Sequence, residues 1–135
     1  RIILLVLLFT SLSVAADDLL ITDAWIRNLP PVVTMRAGYM SITNNGDEVL
    51  TIVSVESETF SHIEIHESVE KDGMMSMQAV GVVSIKAGET LHLKPGGLHL
   101  MMMHPLQVLS PGDQVTATLI FDDGSRRAVS MKVKK

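Results

Sequence analysis

Residues 94–103, Lys-Pro-Gly-Gly-Leu-His-Leu-Met-Met-Met, combine the two signals that decide the fold of this chain, a tight turn and an alternating strand. Pro95 followed by Gly96 is typical of a type II turn, because proline fixes φ at the first central position and glycine accepts positive φ at the second. After the turn, alternation places residues 98, 100 and 102 on a core face and residues 99, 101 and 103 on the opposite, outward face.

The rest of the chain repeats this organisation. Short runs with a period of two, separated by closely spaced turn signals, extend from residue 19 to residue 133. Residues 71–73 and 122–124 predict tight turns, and residues 44–47, Asn-Asn-Gly-Asp, predict a hairpin turn because Asn and Gly tolerate positive φ. No segment has the 3.6-residue apolar stripe of a long helix. The pattern predicts an all-β fold, a Greek-key β-sandwich or barrel of about eight or nine short strands.

The N-terminus resembles a targeting segment. Arg1 precedes an unbroken apolar run from Ile2 to Phe9, and the small residues Val14-Ala15-Ala16 suit signal peptidase. A membrane span would need about 20 apolar residues, and this run is much shorter. We therefore predict a secretory signal peptide over residues 1–16, cleaved near Ala16, followed by a single domain over residues 17–135.

The composition excludes several classes of protein. The 135 residues contain no cysteine, nine methionines and five histidines, and the formal charge is -4. Without cysteine there is no disulfide framework, thiolate zinc site, iron–sulfur cluster or blue-copper centre. A mildly acidic chain has no basic footprint for nucleic acid. No catalytic elbow, phosphate loop or Cys–His pair is present, so we expect a protein that is not an enzyme and is not stably inserted in a membrane.

The methionines and histidines are concentrated in one region. Residues 74–77 and 101–103 hold six of the nine methionines, and four of the five histidines (His62, His66, His99 and His104) lie in or near the same segments. Met40, Met102 and Met131 fit apolar strand positions, and we expect them in the core, where methionine fills irregular gaps. His62 and His66 share an outward face, opposite Ile63 and Ile65.

The outward residues suggest a soft metal. His99 and Met101 are two residues apart on one strand face, so their Cα atoms are about 6.5 Å apart and their side chains can converge on one ion. Thioethers are poor ligands for zinc, calcium and magnesium but good ligands for Cu(I), and imidazole suits copper in either oxidation state. A site built from His and Met alone leaves the ion its charge of +1, which helps its transfer to an anionic acceptor. The sequence therefore indicates copper, as Cu(I).

His66, Met77, His99 and Met101 have the spacing H-x10-M-x21-H-x-M. This pattern, with Ala24-Trp25-Ile26-Arg27 upstream and residues 94–102 around the second histidine, resembles the PCuAC family of periplasmic copper chaperones over about residues 19 to 133. The resemblance implies a cupredoxin-like barrel in the periplasm and binding of Cu(I) by those four residues. It also implies delivery for assembly of the CuA centre of cytochrome c oxidase, with oxidase subunit II or a thioredoxin-like assembly factor as acceptor. We expect a monomer.

Several alternatives remain open at this stage. His62 faces the same way as His66, Met75 faces the same way as Met77, and Met74, Met103 and His104 have no assigned role. Some PCuAC proteins add a Cu(II) site on a His- and Met-rich tail, and the presence of such a second site in this protein is left open. The alternative function is an exported β-sandwich for partner binding or adhesion, whose methionine patch is not a metal site.

Overall fold

Ten β-strands joined by loops make up the part of the chain that the computed structural model describes, residues 18–135, and no helix occurs in it. The predicted all-β fold is confirmed, with slightly more strands than expected. The strands are β1 (Leu19–Arg27), β2 (Met35–Asn44), β3 (Leu50–Glu56), β4 (Phe60–Lys71), β5 (Met74–Ala79), β6 (Val83–Ile85), β7 (Thr90–Leu93), β8 (Leu98–Pro105), β9 (Gln114–Phe121) and β10 (Arg126–Lys134).

The strands form one hydrogen-bonded sheet with a Greek-key order. The order is β5-β4-β8-β2-β1-β10-β9-β3-β6, and β7 also pairs with β2. β1 runs parallel to β10, and the remaining pairs are antiparallel. β3 and β4, which are near opposite ends of this order, contact each other, so the sheet curls around a single core. This is the cupredoxin-like β-barrel architecture that the resemblance implied.

The core consists of the inward residues of these strands. Met40, Met102 and Met131 are buried in it, which confirms their predicted role as apolar filler. Ile63 and Ile65 of β4 are also buried, as the alternation of that strand predicts.

Gly38 allows β2 to approach the core closely. It is directly opposite Leu100, and a Cβ atom at this position would lie 2.9 Å from Met102 Sδ and 3.1 Å from Met131 Cε. Any side chain would therefore displace buried methionines, so this position requires glycine.

Three predicted turns are confirmed. Asp72 and Gly73, with φ of 54° and 76°, form the two-residue turn between β4 and β5, where both central residues need positive φ. Gly96 has φ of 82°, and the Gly97 N–H donates to the Lys94 carbonyl oxygen at 3.1 Å, as in a type II turn. Residues 122–124 close the antiparallel pair of β9 and β10.

The predicted hairpin at residues 44–47 is wrong. β2 and β3, which this segment connects, do not pair with each other, and neither Asn45 nor Gly46 has positive φ. The Asn44 side chain is buried instead, and its Nδ2 donates to the carbonyl oxygens of Glu48 and Ile85. The asparagine thus braces a connection between strands that belong to different parts of the sheet, which local turn propensity does not reveal.

The turn at residues 94–97 interrupts what would otherwise be one long strand. β7 and β8 pair in succession with the same edge of β2, β7 with residues 40–43 and β8 with residues 35–38. The turn between them therefore projects from the sheet immediately before His99.

Between residues 18 and 135, no helix has the length and apolar character needed to cross a membrane. The predicted signal peptide, residues 1–16, lies outside the described residues.

Candidate metal centre

His66 and His99 are direct neighbours across two strands. They are Cα partners in the antiparallel pair of β4 and β8, and their ring centroids are 6.1 Å apart with an interplanar angle of 53°. These two residues are 33 positions apart in the sequence, and only the β4–β8 register brings them together.

The sequence predicts the correct strand face for both histidines but not their exposure. Both were expected on an outward face, yet His99 is 3% exposed and the side chain of His66 is 14% exposed. Tyr39 is on the same face of neighbouring β2 and is buried, and Trp25 packs on it with ring centroids 4.7 Å apart. Alternation gives the side of a strand on which a residue lies, but the covering of that side is set by neighbouring strands and loops.

Hydrogen bonds fix which nitrogen of each ring carries the proton. His66 Nε2 is 2.7 Å from Glu64 Oε2, and His99 Nδ1 is 3.0 Å from the Gly97 carbonyl oxygen. An ionised carboxylate and a carbonyl oxygen only accept hydrogen bonds, so both of these nitrogens donate. His66 Nδ1 and His99 Nε2 therefore carry the lone pairs in the neutral rings.

The two lone-pair nitrogens are buried and have no hydrogen-bond partner. A buried polar atom without a partner lowers the stability of a protein by about 1–3 kcal/mol. Two such atoms on neighbouring rings therefore indicate that a group binds between the rings. An imidazole bound to a metal such as zinc has a metal–nitrogen bond of about 2.0–2.1 Å, which lets two rings on one ion hold their centroids up to about 6.5 Å apart. The observed 6.1 Å is within that limit. The pair therefore fits a shared metal ion.

Met101 is on the same face, next along β8. It is the Cα partner of Glu64 on one side and of Ala37 on the other, two residues from His99, and it is partly buried. Its position agrees with the sequence prediction that His99 and Met101 share a face.

Met77 approaches from the edge strand. β5 pairs with β4 so that Met77 is opposite Ser68, which places it diagonally beside His66, and it is 59% exposed. Met75, the alternative, is opposite Glu70, one further pair away from His66. Met74 is on the reverse face of the same strand, opposite Lys71.

Glu64 links two histidines. Its Oε2 accepts from His66, and its Oε1 accepts from His62 Nε2 at 3.0 Å. These hydrogen bonds hold the pKa of the Glu64 carboxyl below its ordinary value, and the one from His66 has the larger effect. The carboxylate therefore remains ionised at neutral pH and keeps both imidazoles oriented, which is the usual supporting contact of a metal-binding histidine.

The other candidates occupy varied positions. His62 is exposed on the same face as His66, two residues beyond Glu64, whereas His104 is exposed with φ of 51° at the end of β8. His92 is exposed on β7 and its Nδ1 is 3.1 Å from the Ser41 hydroxyl. Across residues 18–135, no three His, Asp or Glu side chains are grouped closely enough to hold a metal ion among themselves.

Sequence reasoning missed one residue of this face. Met35 stands apart from the methionine clusters in the sequence, yet it is the Cα partner of Met103, which in turn is opposite His62. The pairing of β2 with β8 has no local sequence signal, so only the sheet register reveals this neighbourhood.

The fold and the site together define a class of protein: a cupredoxin-like β-barrel without cysteine that presents imidazole and thioether donors on one face. The chain belongs to the family described as "Putative lipoprotein LpqE-like", whose sequence model matches residues 19–133. The protein is similar to the "Putative lipoprotein Lxx21020" of Leifsonia xyli subsp. xyli (strain CTCB07). The two are 36% identical over 120 residues, which cover 88% of this chain and 71% of that protein.

Solved structures have the same fold. The solution structure of Cu(I)-DR1885 from Deinococcus radiodurans has a TM-score of 0.68 at 30% identity, over 83% of this chain and 75% of that chain. The copper-bound PCuAC domain from PmoF2 has a TM-score of 0.71 at 18% identity, over 87% of this chain and 92% of that chain, and at this identity the likeness shows the fold alone. The resemblance to the PCuAC family is confirmed by these matches.

Proposed function

We propose that this protein is an exported, periplasmic copper chaperone, which binds one Cu(I) through His66, Met77, His99 and Met101 and delivers it to an acceptor protein. The observation that carries the proposal is the pair of buried imidazoles whose lone-pair nitrogens, His66 Nδ1 and His99 Nε2, have no hydrogen-bond partner. Each ring is already oriented through its other nitrogen, so the two free lone pairs are held in place for a bound ion.

The donor types select Cu(I). Two imidazoles and two thioethers are neutral and soft, a combination that favours Cu(I) over zinc, calcium or magnesium. Thioethers do not form disulfides, so such a site survives in an oxidising compartment where paired thiols would be lost. They are also weaker donors than thiolates, which favours release of the ion to a thiolate acceptor.

The exposure of the four donors is graded. His99 is buried and Met101 is partly buried, whereas Met77 is 59% exposed on an edge strand. An incoming ligand can therefore replace Met77 first while both histidines still hold the ion. Stepwise replacement of ligands is the route that direct transfer between two proteins requires, so this gradient supports delivery.

The relatives support this function. One similar structure is titled as a Cu(I) form and another as a copper-bound PCuAC domain, and the family and a 36% identical relative are described as lipoproteins, which supports export. We further propose that delivery serves assembly of the CuA centre of cytochrome c oxidase, with oxidase subunit II or a thioredoxin-like assembly factor as acceptor. This finer statement rests on the resemblance of the motif in residues 66–101 to that of the PCuAC family.

Anaerobic Cu(I) titration against a competing chelator tests the binding site. We expect the parent protein to hold one Cu(I) tightly and the double variant His99→Ala/Met101→Ala to lose it, because an imidazole and a thioether are removed together. His92→Ala is the matched control, since it removes an exposed histidine from β7. A double variant that remains folded and binds Cu(I) as tightly as the parent would contradict the assignment.

Transfer is tested separately from binding. Mixed with an apo CuA domain, whose ligands include a pair of cysteine thiolates, the loaded protein should lose its Cu(I), and the reverse reaction should not occur. Intact binding without transfer would indicate storage or detoxification instead of delivery.

A further inference from the structure

Three further soft donors lie in one row across neighbouring strands. Met35 of β2 is the Cα partner of Met103 of β8, and Met103 is the Cα partner of His62 of β4. We propose that these three residues form a second, weaker Cu(I) site, separate from the site of His66 and His99.

The register allows the three side chains to meet. Residues directly opposite each other in an antiparallel pair have Cβ atoms about 4.5–5.5 Å apart and point to the same side of the sheet. Met103 stands in the middle, so the long, flexible side chain of Met35 and the ring of His62 approach it from either side. Two of the three donors are thioethers, which favours Cu(I) over harder cations.

His62 is oriented as a ligand in the same way as His66. Its Nε2 is 3.0 Å from Glu64 Oε1, and because that carboxylate accepts, Nε2 carries the proton and Nδ1 has the lone pair. The two oxygens of Glu64 thus orient one imidazole for each site.

The two sites are far enough apart to be filled together. His62 and His66, like Met103 and His99, are four residues apart on their strands, a separation of about 13 Å along the sheet. This exceeds the Debye length of about 8 Å at physiological ionic strength, so two monovalent ions repel each other little. Met101, a donor of the first site, lies between the two rows on the same face, so the 13 Å separates the two rows of histidines and not every donor of the two sites.

The second site should bind more weakly than the first. The side chain of His62 is 60% exposed and Met35 is 46% exposed, whereas His99 is buried. Exposed, flexible methionines lose conformational entropy when they bind the ion, whereas the buried histidines have already lost it on folding. We therefore expect the second site to bind Cu(I) with an affinity at least about 10-fold lower than that of the first site.

Anaerobic titration of the full chain with Cu(I) and a weak competing chelator tests the proposal. We expect the parent to bind two Cu(I), and Met35→Leu/Met103→Leu to bind only the tighter one with unchanged affinity. Leucine keeps the apolar volume but removes the sulfur. Met74→Leu, an exposed methionine on the reverse face of β5, should retain both ions. His62→Asn, at an exposed position, provides a second variant that removes only the ring.

The outcomes separate the two sites. A parent that binds only one Cu(I), or a Met35→Leu/Met103→Leu variant that still binds a second with parental affinity, overturns the second site and leaves the proposed function standing. The opposite result is also informative. If His99→Ala/Met101→Ala still binds the tighter ion, the assignment of the first site is contradicted. If the weaker ion is lost only in Met35→Leu/Met103→Leu, the second site is supported. Loss of the weaker ion in Met74→Leu also overturns the proposal, because binding would then not depend on this face.

Discussion

Replacing Glu64 by glutamine tests how the copper ligands are prepared. The carboxylate accepts hydrogen bonds from His66 at 2.7 Å and from His62 at 3.0 Å, one on each oxygen. Glutamine has a single acceptor oxygen, and its NH2 group donates. In Glu64→Gln at least one imidazole therefore loses the acceptor that fixes its proton on Nε2 and leaves Nδ1 as the lone-pair nitrogen.

The expected effect is a weaker copper site in a folded protein. Loss of such a supporting contact typically lowers metal affinity by about 10–100-fold, and we expect this range for Cu(I) at the His66 site. Chelator competition measures the affinity, and ¹⁵N NMR of the imidazoles reports the tautomer of His66 independently of copper. Glu67→Gln is the matched control, because Glu67 pairs with Leu98 and lies on the reverse face of β4.

Parental Cu(I) affinity in a Glu64→Gln variant whose His66 no longer keeps its proton on Nε2 would refute this role of Glu64. Acid pH gives a second check. The pKa of Glu64 is lowered in the folded protein, so its contribution to stability is present above the pKa of the unfolded chain and is lost as pH falls through the folded value. The difference in melting temperature between parent and Glu64→Gln should therefore disappear at strongly acid pH. A difference that persists there would assign the effect to something other than the charge.

Two further substitutions test buried contacts of the fold, one in the core next to β8 and one in the connection after β2. Gly38→Ala should lower the free energy of unfolding by about 1–3 kcal/mol, because the new Cβ lies 2.9 Å from buried Met102 Sδ, whereas Gly97→Ala, whose Cβ meets nothing nearer than 3.6 Å, should change thermal unfolding much less. Asn44→Ala should destabilise by about 1–3 kcal/mol, since it leaves the Ile85 carbonyl oxygen without its buried donor. Chemical denaturation measures both, and parental stability in either variant contradicts the corresponding contact.

Part of the site follows from sequence because it is local. In a strand that alternates Leu, His, Leu and Met, His99 and Met101 lie on one face regardless of how the rest of the chain folds. Their shared face was predicted correctly. The spacing of His66 and Met77 around a tight turn likewise predicts their neighbouring strands, because Asp72-Gly73 permits a two-residue hairpin. The hairpin expected at residues 44–47 failed because the same residue types also brace a connection between unpaired strands.

The sequence alone determined the class of fold, the absence of thiolate chemistry and the donor types, since these depend on composition, alternation and turn residues. Only the tertiary structure decided which donors meet and how they are protonated. The β4–β8 register brings His66 beside His99. Hydrogen bonds to the Glu64 carboxylate and the Gly97 carbonyl oxygen then leave one lone-pair nitrogen on each ring. The β2–β8 register brings Met35 beside Met103. Cross-strand pairing joins residues far apart in the chain, and its register depends on the packing of the whole sheet, so no local pattern encodes it.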